Sequence, residues 1–285
     1  MEKIAPVQEK AKENPLGESQ GAEFEGATLS PPSFNLQAGT AGSPDDGKPV
    51  QKKDDPLKVD KGQVTFDAEG NDTKGSTWYS RHIHWPGTSS SGVTVGRGYD
   101  MGRRSATSIK AHMKSAGITG NQATLLAGSA GKRGDDAKKY VADYRAKIGD
   151  ISQEQQKKLF EIVYVEYEKK AKGRASKHGA YAQLESDKPF MLTPEQYDAL
   201  HPTIKELLVD LTYRGDYKSS GHAAYKKVNP ILKAEITDKE KMEKLKTLLT
   251  AYKDGLKKGH FMIHRTNQRI ALLDSGISGA VSYTH

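Results

Sequence analysis

The chain of 285 residues has 35% hydrophobic residues, a net charge of +8, a mean hydropathy of −0.74 and no cysteine. The lack of cysteine excludes disulfides, thiolate metal sites and cysteine nucleophiles, and the lack of a run of about eighteen apolar residues excludes a membrane-spanning helix. Because residues 1–12 carry charges but no apolar segment, we expect synthesis in the cytoplasm without a secretory signal peptide.

Residues 1–61 are predicted to form a disordered tether, because they are rich in proline, glycine and charged residues and poor in aromatics. Residues 1–60 hold 7 lysines against 11 acidic residues, a net charge of −4, so the other 225 residues carry +12. We therefore expect residues 62–285 to form one basic domain. Such a charge indicates either a polyanionic partner, such as nucleic acid, anionic lipid or cell wall, or simply a lysine-rich surface.

A short island at residues 29–38 interrupts the tether. Its Pro31-Pro32 step favours polyproline II, and Phe34 and Leu36 are apolar anchors in a polar segment. The island is either a docking peptide or a linker with two chance apolar residues.

The folded part is predicted to begin with strands and continue with helices. Residues 63–66 alternate as in a short strand, and residues 92–96 are typical of a second strand or hairpin arm. From Gly102 to about Asp274 the pattern is helical. This order predicts an α+β fold with a small β-rich lobe and a larger helical lobe.

Two helix starts carry capping signals: Ser152 with Gln155 three residues later, and Thr193 with Gln196. Pro194 suits the first turn of the second helix. Apolar residues at helical spacing predict core faces of three helices. They are Leu159, Phe160, Val163, Tyr164 and Tyr167; Leu207, Leu208 and Leu211; and Leu245, Leu248, Leu249 and Tyr252.

Residues 66–102 are dense in glycine, polar and aromatic residues, which suits the wall of a cleft better than a core. Tyr79, Trp85 and Tyr99 offer flat faces on which sugar rings stack. Glycoside hydrolysis needs a protonated carboxyl and a second group on the opposite face of the sugar. Glu69 follows a short apolar segment as the acid requires, while Thr94 can hold a water that Asp100 activates.

Residues 92–102 resemble the signature strand of pesticin-type muramidases, toxins similar to phage lysozymes. In that family a Glu-Gly pair precedes a Gly-Val-Thr-(Ile/Val)-Gly segment, and an Asp follows the Thr by six residues. Here Glu69-Gly70 precedes Thr94 by 25 residues and Asp100 follows Thr94 by six. The resemblance implies a lysozyme-like fold without cofactor or metal, with Glu69 as general acid and Thr94 and Asp100 positioning the water. It also implies cleavage of the MurNAc–GlcNAc β-1,4 bond of peptidoglycan glycan strands.

Residues 264–269, which include Arg265 and Arg269, are similar to the arginine-bearing closing helix of phage-type lysozymes. In those phage enzymes a catalytic Asp precedes the Thr by six residues, a position that is Thr88 here, so the resemblance is to the pesticin branch. We expect a monomer when free. Substrate contacts are assigned to residues in and beside the cleft wall: Tyr79, His82, His84, Trp85, Arg97 and Tyr99.

The island at residues 29–38 is also similar to a Pro-Pro-x-Phe-x-Leu stretch in proteins linked to extracellular contractile injection systems. That similarity implies an enzyme that acts outside its cell or in a target periplasm, loaded on a particle as cargo or tip enzyme. The alternative is a non-catalytic wall-binding or structural component of such a particle.

Two further readings remain. His82 and His84, with Asp72 or Asp100, have the spacing of a metal site on a strand, although histidines here more often contact substrate. Nucleic-acid binding is suggested by the basic body alone, and no recognised motif supports it. We expect neither a nucleic-acid partner nor insertion into a membrane.

Overall fold

The computed structural model describes residues 57–76, 79–176, 190–218 and 223–279. The predicted tether through residue 56, with the docking island at residues 29–38, lies outside these residues. Leu57 and Val59 pack against the core, and Gln63 fixes this entry segment through hydrogen bonds to the Leu57 carbonyl and the Val59 N–H. Among the described residues, packing against the core thus already includes Leu57 and Val59, ahead of the predicted domain start at residue 62.

The described residues form an α+β fold that is mostly helical. The elements in chain order are α1 (Gln63–Ala68), β1 (Thr94–Val95), β2 (Tyr99–Asp100), α2 (Ala106–Ser115), α3 (Gly120–Ala127), α4 (Gly134–Ile148), α5 (Gln153–Ser176), α6 (Pro194–Asp198), α7 (Pro202–Arg214), α8 (Ala223–Lys233), α9 (Asp238–Asp254) and α10 (Met262–Ile277). In this part of the chain, no helix has both the length and the apolar character that crossing a bilayer requires.

The predicted strand at residues 63–66 is wrong, because these residues begin α1. Alternation over four residues cannot distinguish a strand from one turn of helix. Packing decides in favour of the helix: Phe66 meets Phe160 of α5 edge to face at 5.1 Å, and Thr65 donates a hydrogen bond to buried Asp210.

The predicted strand or hairpin arm at residues 92–96 is confirmed, because β1 (Thr94–Val95) forms a hairpin with β2. Its strands pair antiparallel with Thr94 opposite Asp100 and Val95 opposite Tyr99. The backbone of His84 adds an isolated bridge to Thr94. The β structure in the described residues is thus smaller than the predicted β-rich lobe, because most of the glycine-rich segment forms turns without ladder pairing.

Both predicted capping boxes are confirmed. The Gln155 N–H donates to the Ser152 hydroxyl and the Gln155 side chain accepts from the Ser152 N–H at the start of α5. Thr193 and Gln196 make the same reciprocal pair at α6. Each box satisfies N–H groups that the first helical turn leaves without partners.

The buried side chains form two hydrophobic cores. One joins α1 and α6–α10 with the middle and end of α5, and the other joins the hairpin and α2–α4 with the start of α5. The predicted apolar stripes lie in these cores, except that Tyr252 is 47% exposed. Tyr167 and Tyr213 pack against both cores. We call this tyrosine pair the seam.

Candidate active site

Glu69 is the residue that ends α1, and its side chain is 23% exposed. Its Oε1 accepts a hydrogen bond from Nη1 of Arg265 in α10 at 2.8 Å, across a sequence separation of 196 residues. Within the described residues no donor contacts Oε2. The acid is therefore held by one oxygen while the other remains available to a ligand.

A buried charge network fixes the arginine that holds Glu69. Asp210 of α7 is completely buried and accepts from Arg265 Nη2 and from Arg269 Nε, both at 2.6 Å. We call Asp210, Arg265 and Arg269 the guanidinium network. Burial alone raises the pKa of Asp210, but the two guanidiniums outweigh burial and hold it below its ordinary value. Burial likewise lowers the pKa of Arg265, and Asp210 and Glu69 reverse this effect, so the guanidinium stays charged.

Arg97 fixes the loop that follows Glu69. It is 6% exposed, and its Nη1 donates to the carbonyls of Phe66 and Gly70 at 2.7 and 2.6 Å. A Cβ on Gly70 would lie 1.9 Å from the Ser80 hydroxyl, which explains the glycine after the acid. The guanidinium of Arg97 is thus used internally, and its predicted role as a substrate contact is not supported by its position.

Thr94 and Asp100 are brought together by the hairpin, because directly opposed residues place their side chains on the same face. Asp100 accepts backbone hydrogen bonds from Gly102 at 2.6 Å and from Gly92 at 3.2 Å. Thr94 is 4% exposed, and its hydroxyl makes only a long contact of 3.4 Å with the Gly92 carbonyl. The carboxylate is therefore oriented by main-chain groups next to a hydroxyl that is weakly engaged.

The seam packs against the turn of the hairpin, where a Cβ on Gly98 would lie 2.1 Å from the Tyr213 hydroxyl. Tyr167 and Tyr213 stack with ring centroids 4.1 Å apart, and the Tyr213 hydroxyl donates to the Arg97 carbonyl at 2.8 Å. The pKa of Tyr167 is raised mainly by burial, then by the charge of Glu69, with Asp100 contributing as well. The Tyr167 side chain is only partly buried.

Tyr79 and Tyr99 do not offer open ring faces, which corrects their predicted role as sugar platforms. They are 2% and 0% exposed. The Tyr79 hydroxyl donates to Asp150 at 2.9 Å, and the Tyr99 hydroxyl contacts Nδ1 of His112 at 2.8 Å. Both rings are core residues because their polar ends find partners inside the protein.

His82, His84 and Trp85 are half-buried. Burial lowers the pKa of His84 to about 4, while its backbone pairs with Thr94. The His82 ring meets Tyr79 at 5.1 Å, and the ammonium of Lys138 in α4 lies 5.7 Å from the Trp85 ring. The described contacts of His82 and Trp85 are thus with residues other than Glu69.

The alternative metal site finds no support among the described residues, because no three histidine, aspartate or glutamate side chains there are grouped to hold an ion. Of the two proposed third ligands, Asp72 is engaged by Arg97 Nη2 and Arg81 Nε, each at 3.1 Å, and Asp100 accepts from the backbone of Gly92 and Gly102.

A groove of about 640 Å³ lies elsewhere, between α6, the end of α8 and the start of α9. Its carboxylate Glu240 is used by the capping box with Thr237 at the start of α9. None of Glu69, Thr94 and Asp100 lines this groove, and we assign no chemistry to it.

Sequence reasoning placed Tyr167 in a core stripe and overlooked Asp210. The available signal for Asp210 was a charged residue inside the apolar stripe of Leu207, Leu208 and Leu211, since a buried charge needs partners. Tyr167 carried no such signal, because its spacing fits a core position equally well.

Comparison with known protein families gives a match that covers most of the folded part. The family described as "Domain of unknown function (DUF8812)" matches residues 62–252, more than half of the chain, so the chain belongs to that family. No curated protein sequence matches it. The matched range includes Glu69, Thr94 and Asp100 and ends before Arg265.

Proposed function

We propose that this member of the DUF8812 family is a muramidase that hydrolyses the MurNAc–GlcNAc β-1,4 bond of peptidoglycan. One observation carries the proposal: Arg97, in the turn of the hairpin that pairs Thr94 with Asp100, donates to the carbonyls of Phe66 and Gly70 on either side of Glu69. Two carboxylates that flank one partly exposed site are what glycoside hydrolysis requires.

In the proposed reaction, the oxygen of Glu69 that Arg265 does not bind donates its proton to the leaving glycosidic oxygen. Positive charge develops at the anomeric carbon, and Asp100 stabilises it or activates the attacking water. The Thr94 hydroxyl orients that water. Water adds to the anomeric carbon, its proton passes to the base, and the products are a reducing MurNAc end and a GlcNAc 4-hydroxyl.

The arrangement of arginines supports this assignment. The resemblance implied an arginine-bearing closing helix, and α10 supplies Arg265 to Glu69. Side chains locked by packing and by ion pairs hold a catalytic group in a fixed geometry before substrate arrives. A lysozyme-like fold of the pesticin branch and delivery on a contractile injection particle belong to the same proposal. The basic body suits association with anionic wall polymers, an attraction that salt weakens.

The test compares the wild-type chain with Glu69→Gln on purified sacculi. Soluble products are reduced and identified by mass spectrometry. We expect muropeptides with reducing MurNAc ends from the wild type, and a loss of at least about a hundredfold in rate with Glu69→Gln, because an amide cannot act as the acid. Glu195→Gln, at an exposed helix start, is the matched control and is expected to keep full activity.

Three other outcomes contradict the proposal. Intact sacculi that retain the protein would favour a non-catalytic wall-binding component. Peptide-bond products that a chelator abolishes would favour a metal-dependent peptidase. Full activity of Glu69→Gln would remove Glu69 from the mechanism even if the bond cleaved is the expected one.

A further inference from the structure

A second groove lies on one face of α4, and none of the proposed catalytic residues lines it. It has a volume of about 470 Å³ and is lined by Lys138, Val141, Ala142, Arg145 and Ala146. We call it the α4 groove. A concave site of a few hundred Å³ that is mostly apolar and holds a small number of charged groups is typical of ligand binding.

Both cations of the α4 groove contact the segment that contains Trp85. Arg145 Nε donates to the Ile83 carbonyl at 3.0 Å. The ammonium of Lys138 lies 5.7 Å from the centroid of the Trp85 ring. The segment of residues 83–85 therefore runs alongside α4, with Trp85 at the Lys138 end of the groove.

The other edge of this segment pairs with the hairpin. His84 exchanges two backbone hydrogen bonds with Thr94, at 2.8 and 2.9 Å. In an extended segment the backbone groups of successive residues point to opposite edges, so the Ile83 carbonyl faces α4 while His84 faces β1. One backbone segment thus separates the α4 groove from the strand that carries Thr94.

The two cations have no acidic partner. Within the part of the chain that the structure describes, no carboxylate lies within ion-pair distance of Lys138 or Arg145, and none lines the groove. Of the acids of α4, Asp143 pairs with Lys139 at 3.2 Å, and the other two lie in the first turn, where negative charge suits the helix dipole. The groove is therefore positively charged at both ends.

The spacing of the cations indicates the kind of anion that fits. Lys138 and Arg145 are seven residues apart, which separates them by about 10 Å along the helix axis. Val141, Ala142 and Ala146 form an apolar floor between them. Two separated cations suit separated monoanions, whereas phosphate sites converge several donors on one group. The groove thus fits a ligand with spaced carboxylates and an apolar surface.

Trp85 adds chemistry that suits a sugar. It is partly buried, and its Nε1 is enclosed without a hydrogen-bond partner among the described residues. An enclosed donor without an acceptor is a cost that a ligand can remove. Tryptophan side chains with one apolar face and one polar atom are enriched at binding surfaces for this reason.

We propose that the α4 groove binds a stretch of peptidoglycan glycan strand outside the bond that is cleaved. Lys138 and Arg145 each face a carboxylate of a muramic acid, and Trp85 contacts a sugar. The identity of this ligand rests on the proposed function. Every second sugar of the strand carries a lactyl carboxylate, so its charges recur at intervals of one disaccharide, a length comparable with the separation of the two cations.

Binding is measured on the full chain with Glu69→Gln, which leaves the strand uncleaved. The probes are glycan strands that an amidase has trimmed to free lactyl carboxylates, and the same strands after carbodiimide and ammonia have converted these groups to neutral amides. Calorimetric titration gives Kd for this protein and for its Lys138→Gln, Lys138→Gln/Arg145→Gln and Lys139→Gln derivatives. Lys139 is the matched control, because it is exposed, adjacent and paired with Asp143.

We expect Lys138→Gln to weaken binding of charged strands about tenfold, and the double variant about a hundredfold, one charge-assisted hydrogen bond for each cation. Both should bind amidated strands as the unmodified groove does, and Lys139→Gln should bind both probes normally. Trp85 gives a second signal once Trp78→Phe has removed the other tryptophan of the chain. Its fluorescence should change with charged strands, and Lys138→Gln should shift that change to about tenfold higher concentration.

Equal weakening of both probes by the variants would overturn the inference, since it indicates a structural role. An unmodified groove that binds charged and amidated strands alike would also overturn it, whether or not the variants fold. Teichoic acid or DNA that displaces the strands at lower charge concentration would reassign the groove to a polyphosphate. Selective loss in the double variant supports the inference even where the wild type releases no muropeptides, so a failure of the proposed function is seen separately.

Discussion

Glu69 and Asp100, the two carboxylates of the candidate site, are held in opposite ways. Glu69 is bound by a guanidinium from a helix 196 residues later in the chain, and that guanidinium is anchored on a buried aspartate. Asp100 is bound by two backbone N–H groups within its own hairpin. One carboxylate depends on long-range charge pairing, and the other on local main-chain geometry.

The two halves of the site are therefore sensitive to different kinds of substitution. Removing one partner of a buried ion pair strongly destabilises the folded protein, because the other charge remains in a medium of low polarity. A hairpin carboxylate is most sensitive to changes of shape in the turn around it.

The largest effect is expected from Asp210→Asn. Removing this charge leaves the buried Arg265 and Arg269 with only the partly exposed Glu69 and Asp216 as counter-charges, and the free energy of unfolding should fall by about 3–5 kcal/mol. Urea denaturation measures it. Asp216→Asn is the matched control, because Asp216 contacts Arg269 at 3.2 Å from a position that is one third exposed, and its loss should cost about 1 kcal/mol or less. Equal losses in the two variants would refute the charge-based account.

On the hairpin side, Gly92→Ala tests shape. Its Cβ would lie 2.2 Å from Asp100 Oδ1 and 2.3 Å from the backbone nitrogen of Gly102. Relieving this overlap should cost about 1–3 kcal/mol of stability and should displace the carboxylate, so activity on sacculi should fall with it. Gly255→Ala meets only ordinary contacts and serves as the control. An unchanged rate for Gly92→Ala would show that Asp100 tolerates movement.

The two halves should also differ in their response to acid. The pKa of His84 is about 4 in the folded protein, against an ordinary 6.5, because burial disfavours its charged form. The contribution of His84 to the free energy of unfolding is therefore fully present above pH 6.5 and is lost as the pH falls toward 4. The loss amounts to about 2 kcal/mol between pH 7 and pH 5. Asp210 has a lowered pKa, so its contribution is lost only below its ordinary value of 3.8.

On acidification, the stability that His84 contributes beside the hairpin should therefore be lost before the stability that Asp210 contributes. Stability is measured by urea denaturation at pH 7 and pH 5 for the wild type and His84→Gln. The variant should lose most of the difference between the two pH values. A wild-type stability that is flat over this range would mean that His84 is charged in the folded protein.

The smallest effects are expected at the seam. Tyr213→Phe loses the hydrogen bond to the Arg97 carbonyl and should cost about 1 kcal/mol. Tyr167→Phe loses a hydroxyl without a partner among the described residues and should leave stability within about 0.5 kcal/mol. Its rate on sacculi should nevertheless fall about tenfold, as for the loss of one substrate hydrogen bond. A normal rate would place the hydroxyl outside the reaction.

The sequence by itself determined the local features of this protein. The α+β class, the strand or hairpin arm at residues 92–96 and the capping boxes at Ser152 and Thr193 all follow from patterns within a few residues. Turn and capping preferences act over such short distances, so tertiary contacts need not be known to predict them.

The other features of the fold and of the site depend on tertiary contacts. It turned residues 63–66 into a helix through the contact of Phe66 with Phe160, and it buried Tyr79 and Tyr99 in the cores. It also brought Arg265 to Glu69 and Arg97 to the carbonyls of Phe66 and Gly70. These outcomes depend on which helix faces pack together, because burial and Coulomb energy are set by neighbours that are distant in the chain.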